Sequence, residues 1–360
     1  MTRLLTPRLA IARLPALLVA LACAAPAQAD DAARRVLEAR LAACIGPNHS
    51  GQVIVSLGAE TILSRAFGRA ANGVPMRPDT RIDAGSVAKQ FTAAAVLALV
   101  DRGKVSLEDR VLKFLAGVPA DKAAITVHQL LAHTSGIDPA LVFAGVDLTR
   151  MDAMARHVLG SPLVGPPGLK HVYGNPNYFL LAAIVEVASG KSFEAFLTEA
   201  LFVPAGMKAT GFCGAPRAGE VQAHRFEVGA DKGPMVDFPY AWGHRGATGI
   251  VTTAADLLLW HRALQGDRVL SPRAREALFR PVDPVAHYAC GWYVLDGKAG
   301  RQAIHGGNSV GAQALVERGL DRDYLIAVLL NDQRTGRECY DLANPMREVL
   351  LAALSADAPR

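Results

Sequence analysis

The sequence predicts an α+β fold in which one antiparallel sheet, flanked by terminal helices, takes strands from both ends of the chain and carries an inserted, mostly helical lobe. Three observations lead there. Strand patterns lie near the N-terminus at Gln52 to Leu57 and Thr61 to Phe67, joined by the short Gly58-Ala59-Glu60, which reads as a hairpin. Further strand patterns follow near the C-terminus, at Gly291 to Leu295, Arg301 to His305, Gln313 to Val316 and Tyr324 to Leu330. Between the two sets the spacing is helical, and strands from both ends can share a sheet only if that middle is an insertion. The sheet lobe is therefore expected over about 30–85 and 270–358, and the helical lobe over about 86–269.

In chain order, the first 29 residues carry Arg3, Arg8 and Arg13, no acidic residue, the apolar run Leu14 to Ala22, and Ala27-Gln28-Ala29 at the end. That is the pattern of a cleavable export signal, and its apolar run is too short to span a bilayer. A periplasmic or secreted location is expected. Cys23 offers a weaker lipoprotein alternative, because Ala20 stands where a large aliphatic residue should be. Three of the 38 basic residues fall in the leader, so 35 face 33 acidic residues in the remainder, and the basic balance belongs largely to the leader. No Lys/Arg block with interleaved aromatics remains, which argues against nucleic-acid binding, and no transmembrane segment is expected once the leader is removed.

Ala33, Val36, Leu37 and Leu41 follow helical spacing, as do Met346, Val349, Leu350, Ala353 and Leu354 at the other end. The middle offers helices at Ile125 to Ala132, Met151 to Leu159, Tyr178 to Ala188, Phe193 to Leu201 and Ala254 to Leu264, with Ser192 and Thr253 as N-caps. Cys44, Cys213, Cys290 and Cys339 could form two disulfides in an oxidising compartment or remain buried thiols. Neither Cys-x-x-Cys nor His-Glu-x-x-His occurs, so no metal and no cofactor is expected.

Three islands carry chemistry. Ser86-Val87-Ala88-Lys89 opens the apolar stretch Phe91 to Val100, and Tyr173-Gly174-Asn175 and His305-Gly306-Gly307 follow in order. A serine hydroxyl needs a base within hydrogen-bond reach, and a lysine three residues on lies on the same helical face. A helix N-terminus also offers free N–H groups to a developing oxyanion. Two other motifs are decoys. Gly307-Asn308-Ser309-Val310-Gly311 has the Gly-x-Ser-x-Gly spacing, yet no histidine follows His305 to complete a triad. Gly190-Lys191-Ser192 ends like a phosphate loop, but Val185 replaces its first glycine.

With Gly103 to Asp109, Leu130 to Ile137 and Pro176-Asn177-Tyr178 added, these islands resemble the class C β-lactamase-related serine hydrolases, a group that includes D-Ala-D-Ala carboxypeptidases and β-lactamase-like esterases. The resemblance runs from about Thr80 to Leu330 and implies a β-lactamase/transpeptidase-like fold. It implies that Ser86 attacks a carbonyl while Lys89 and Tyr173 share its proton, with either a tyrosinate or a neutral lysine as base. It further implies that Asn175 holds the substrate and Lys89, that Gly307 admits close backbone approach, and that the N–H groups of Ser86 and Asn308 form an oxyanion hole. His133-Thr134-Ser135-Gly136 is expected to be a supporting turn. The substrate is expected to be a small ester or amide or a peptidoglycan-derived peptide. His305 departs from the lysine of class C β-lactamases, and a largely neutral imidazole there weakens the case for strong β-lactamase activity. A non-catalytic periplasmic sensor is the alternative of another class. Phe143, Tyr240, Trp242, His244 and Trp292 could line an acyl pocket or pack in the core.

Overall fold

Tyr324–Leu330 decides the layering. Leu325, Ala327 and Leu329 join one apolar cluster, Tyr324, Ile326, Val328 and Leu330 another, and all seven residues are buried. A strand covered on both faces must lie inside a sheet with a layer on each side. The structure, a computed structural model, describes residues 34–46, 49–214, 222–234, 240–282 and 286–356. Residues 1–33, with the expected leader and Cys23, lie outside them.

The chain begins with helix α1 (34–44), then β1 (Gly51–Leu57), β2 (Glu60–Phe67), β3 (Arg69–Ala71), β4 (Val74–Pro75) and β5 (Ile82–Asp83). Helices α2 (Ala88–Asp101), α3 (Val127–Leu131), α4 (Met151–Gly160), α5 (Asn175–Ser189), α6 (Phe193–Leu197) and α7 (Val203–Ala205) follow, with a π-helical turn at Thr198–Phe202. After them come β6 (Gly211–Phe212), β7 (His224–Glu227), β8 (Ala230–Pro234), β9 (Ile250–Thr252), α8 (Ala254–Ala263) and α9 (Pro272–Leu278). The chain closes with β10 (Tyr293–Gly297), β11 (Gly300–Ser309), β12 (Ala312–Gly319), β13 (Tyr324–Leu330), β14 (Asp332–Gln333) and α10 (Glu338–Ala356).

The main sheet has six strands in the order β10-β11-β12-β13-β1-β2, every neighbour antiparallel, with the first hairpin paired to β13 from the far end of the chain. This is the architecture expected. Leu37 and Leu41 of α1 and Leu342, Met346 and Leu350 of α10 cover one face through Val53, Val55, Ile326 and Val328. The other face meets the helical lobe through Ile54, Ala327 and Leu329. At the lobe's centre every residue of α2 from Ala88 to Leu99 is buried, so this helix is enclosed rather than amphipathic. Its Phe91 ring lies 5.4 Å from Phe202 and 4.9 Å from Trp260.

The middle is less uniformly helical than its spacing suggests. It supplies β6 and β9 to the small sheet β5-β9-β6 and β7 and β8 to the small sheet β14-β7-β8. Strands of two to five residues are too short to show a period of two, and β9 is buried at all three positions. Helix α9 was not expected; Ser271 caps it and Pro272 opens it, but only Ala274 and Leu278 are buried. The expected Phe193 to Leu201 helix is interrupted by the π turn, where Thr198 Oγ1 donates to Glu194 O at 2.7 Å. Ser192 and Thr253 cap as expected, and Thr126 forms a capping box with Gln129. The phosphate-loop decoy is a helix junction, with Gly190 at φ +70° ending α5 and Ser192 starting α6. All four described cysteines are unpaired thiols, which settles the open choice against disulfides. Trp242 and Trp292 are buried in the main cluster rather than lining a cleft.

Gln52 stitches the layers together. Buried in β1, its amide donates to Arg77 O and Thr80 O at 2.7 Å each, and its carbonyl accepts the Ala254 N–H at the start of α8 at 2.8 Å. Gln52→Leu is expected to cost about 2–4 kcal/mol, because backbone groups are left buried without partners. Urea unfolding checks this; a change below about 0.5 kcal/mol would mean that the three bonds are dispensable.

Candidate active site

The site lies where the start of α2 meets the end of β11. Gly85, at φ +49°, turns the chain into a 3-10 turn, and its N–H donates to Asp83 Oδ1 at 2.9 Å. Asp83, buried in β5, also accepts the Ser309 hydroxyl from β11. Burial raises the Asp83 carboxyl above its ordinary range, while the Ser309 and Gly85 bonds oppose that rise. Ser309, the serine of the decoy motif, thus tethers a strand to the turn that presents Ser86. The contact is close because two glycines permit it. A Cβ on Gly307 would sit 2.1 Å from Ala84 O and 2.9 Å from Ser86 N, and one on Gly85 would sit 2.9 Å from Asn308 N. The backbones of Ser86 and Asn308 therefore border the same small region.

Lys89 follows Ser86 at the first turn of α2. Its Nζ donates to Ser86 Oγ at 3.0 Å, Asn175 Oδ1 at 2.8 Å and Ala247 O at 3.0 Å. No carboxylate is among these partners. The side chain is fully buried, and desolvation lowers its pKa from 10.5 to about 7. Asn175 begins α5, and Pro176 behind it fits the first helical turn. The Ala247 carbonyl is delivered by a segment wedged between helices. Thr92 Oγ1 of α2 donates to Gly246 O at 2.7 Å, and a Cβ on Gly246, at φ +84°, would lie 2.2 Å from Tyr178 O of α5.

Tyr173 lies just before α5, with Lys89 Nζ 4.9 Å from its ring centroid. Burial raises its phenol pKa well above the ordinary value, and the Ser86 hydroxyl opposes the shift. Behind it, His133 is fully buried at φ +57°, its ring 4.5 Å from Tyr173 and 5.0 Å from both Tyr178 and Tyr288. Its carbonyl accepts the Val172 N–H at 2.8 Å and its Nδ1 accepts the Gly174 N–H at 3.3 Å. Ser135 Oγ donates to Asn177 Oδ1 at 2.5 Å. The His133 to Gly136 stretch therefore holds the Tyr173-Gly174-Asn175 segment from behind.

His305 is buried, and its Nδ1 lies 2.7 Å from Gly306 O. A carbonyl can only accept, so Nδ1 carries the proton, and Nε2 accepts from the Tyr288 hydroxyl at 3.3 Å. Desolvation, then repulsion from Lys89, lowers its pKa to about 3. The imidazole is neutral, and this position carries no cation. Among the residues expected from sequence, the structure gathers Ser86, Lys89, Tyr173, Asn175, His305, Gly307 and Asn308 at one place. Sequence reasoning missed the Ala247 carbonyl, the Asp83–Ser309 tether and Tyr288. A backbone acceptor has no side-chain signature, and the other two become legible only after the chain is folded.

This fold, with a serine and a buried lysine that has no carboxylate partner at the head of an enclosed helix, defines a serine hydrolase of β-lactamase-like architecture. The chain belongs to the β-lactamase family, which matches residues 37–347. It is 26% identical over 317 residues to penicillin-binding protein 4* of Bacillus subtilis, covering 80% of this chain and 70% of that one. Across three curated relatives it spans 63–70% of their length. Among solved structures it is similar to a penicillin-binding protein from Bacillus halodurans, with a TM-score of 0.76, 22% identity and coverage of 87% and 98% of the two chains. It is also similar to the D-amino acid amidase of Ochrobactrum anthropi SV3, with a TM-score of 0.75, 19% identity and coverage of 92% and 100%.

The Lys89 shift has a consequence for stability. A folded pKa of about 7 against an ordinary 10.5 means that the unfolded chain binds more protons between those values, so stability rises with pH across that window. Below about 7 the cost of burying the cation is present in full. Denaturant unfolding of wild type and Lys89→Met from pH 6 to pH 10 should show wild type gaining on the variant as pH rises. A difference that stays flat would mean that Lys89 keeps its ordinary pKa.

Proposed function

We propose that this chain is an exported hydrolase that cleaves an ester or amide bond through an acyl-enzyme on Ser86. One observation carries the reading: the Lys89 amine, without a carboxylate partner and with its pKa lowered to about 7, donates to Ser86 Oγ at 3.0 Å. When deprotonated, Lys89 takes the Ser86 proton as the oxygen attacks the substrate carbonyl, and the C–O bond forms. Tyr173, which burial keeps protonated, passes a proton to the leaving oxygen or nitrogen as its bond to the carbonyl breaks, and is reprotonated from Lys89. The N–H groups of Ser86 and Asn308 receive the developing oxyanion, and Asn175 orients the substrate while fixing Lys89. Water then attacks the acyl carbon with the same groups in reverse roles, releasing the acid and restoring Ser86.

The relatives named as penicillin-binding proteins support acylation of Ser86 by β-lactams as well. The neutral His305 argues for slow β-lactam turnover, since no ammonium stands there to hold the ring carboxylate. The same neutrality favours esters and amides without a carboxylate at that point. Export rests on the N-terminal leader, and N-terminal sequencing of secreted or periplasmic material should begin at Asp30.

The decisive experiment compares a short-chain p-nitrophenyl ester, a chromogenic cephalosporin and a D-Ala-D-Ala peptide on purified protein. Ester turnover should exceed cephalosporin turnover, and Ser86→Ala should abolish both with folding intact. Lys89→Met and Tyr173→Phe should each slow acylation by about 10²–10⁴. In wild type kcat/KM should climb through an apparent pKa near 7. Retained activity in Ser86→Ala rejects the assignment, and a folded protein silent on all three substrates favours a sensor domain.

A further inference from the structure

A cavity of about 600 Å³ lies between α8, α9 and the end of the sheet where β11 begins and β12 ends. Arg301, at its edge, is seven residues from Asn308 on β11, which places the cavity about 23 Å along the strand from the catalytic end. Its walls include Arg275, Arg280, Arg301, Arg318 and Arg322 against three carboxylates, Glu276, Asp321 and Asp323. Three of the arginines are already engaged: Arg275 with Asp267, Arg280 with Glu276, and Arg301 with Asp321.

Arg318 is different. It is 4% exposed, and its Nε and Nη1 have no hydrogen-bond partner. Its guanidinium lies 5.1 Å from the Phe279 ring centroid. The acid nearest in influence, Asp323, spends its Oδ1 on His261 Nε2 at 2.9 Å and Gln265 Nε2 at 2.5 Å and makes no ion pair with Arg318. Burial lowers the Arg318 pKa to about 10 against the pull of Asp323, with Arg275 adding to the fall. A buried guanidinium with two unpartnered nitrogens, both themselves closed to solvent, is costly unless something answers it, and an arginine is suited by shape to oxyanions.

We propose that this cavity binds an oxyanion, the phosphate or carboxylate group of a small molecule, on the Arg318 guanidinium. The Phe279 ring and the space around it accommodate the rest of that molecule. The inference does not depend on the hydrolytic reading, because none of its residues belongs to the Ser86 site.

The test is equilibrium binding and thermal melting of the full chain with inorganic phosphate and, separately, acetate, each at constant ionic strength balanced with chloride. Saturable binding with a matching rise in melting temperature is expected for one of them: phosphate identifies a phosphate-bearing ligand, acetate a carboxylate-bearing one. Arg318→Met should weaken that binding at least about tenfold, the equivalent of about 1.4 kcal/mol. Without anion the variant should melt at the same temperature as wild type or higher, since an unanswered buried charge has been removed. A purely structural arginine would give the opposite, a less stable variant with unchanged anion response. Arg318→Lys, which keeps the charge and loses the fork, should fall between the two and serves where the methionine variant does not fold. Absence of saturable binding of either anion to wild type overturns the proposal whatever the variants do.

Discussion

The rest of the structure depends on the burial of Lys89. An ammonium taken from water without a carboxylate partner loses far more than three neutral hydrogen bonds return, so the group's charge itself becomes negotiable near neutral pH. Keeping water away from it requires α2 to be enclosed on every side, and the sequence supplies that with the apolar run Ala93 to Val100 and small alanines that let neighbours close in. The three acceptors come from three different places: the 3-10 turn, the start of α5 and the segment at Ala247. Each must arrive to within a fraction of an ångström. That is why glycines stand where backbone meets backbone, at Gly246 against α5 and at Gly85 and Gly307 against each other.

The aromatic and imidazole groups behind the site extend the same constraint. His133 and His305 both lie within the influence of Lys89, and both have pKa values lowered by burial first and by that cation second. Had either stayed charged, it would push the lysine further from protonation. Neutral imidazoles instead serve as fixed hydrogen-bonding pieces: His133 carries the Tyr173 segment, and His305 spans Gly306 and Tyr288. The third motif thus contributes shape and backbone to the site without charge.

Much of this was legible from the residues because it rests on period and order. The two-ended sheet follows from strand patterns near both ends of the chain, and Leu325, Ala327 and Leu329 against Ile326, Val328 and Leu330 show how a nearly continuous apolar strand serves two cores. Ser86 and Lys89 were readable because a spacing of three maps directly onto one helical turn. What escaped has a physical pattern too. Strands of two residues carry no period, α9 buries too little to announce itself, and the Ala247 carbonyl is invisible in any sequence because every residue owns one. The choice between disulfides and thiols was likewise beyond reach, since it depends on distances between segments far apart in the chain.

The question the sequence left open, whether lysine or tyrosine is the base, turns on the sign of a single effect. Burial penalises whichever form of a group is charged. For Lys89 that is the protonated form, so the pKa falls toward neutrality; for Tyr173 it is the deprotonated form, so the pKa rises. One dry environment therefore separates two groups whose ordinary values nearly coincide, near 10.5 and 10.0. A tyrosinate could be recovered only if Lys89 remained a full cation beside it, and the same exclusion of water that would strengthen such a pair weakens the lysine's hold on its proton. Because the two shifts share one cause, a change that admits water to this cleft should move both back together, drawing the lysine up and the tyrosine down.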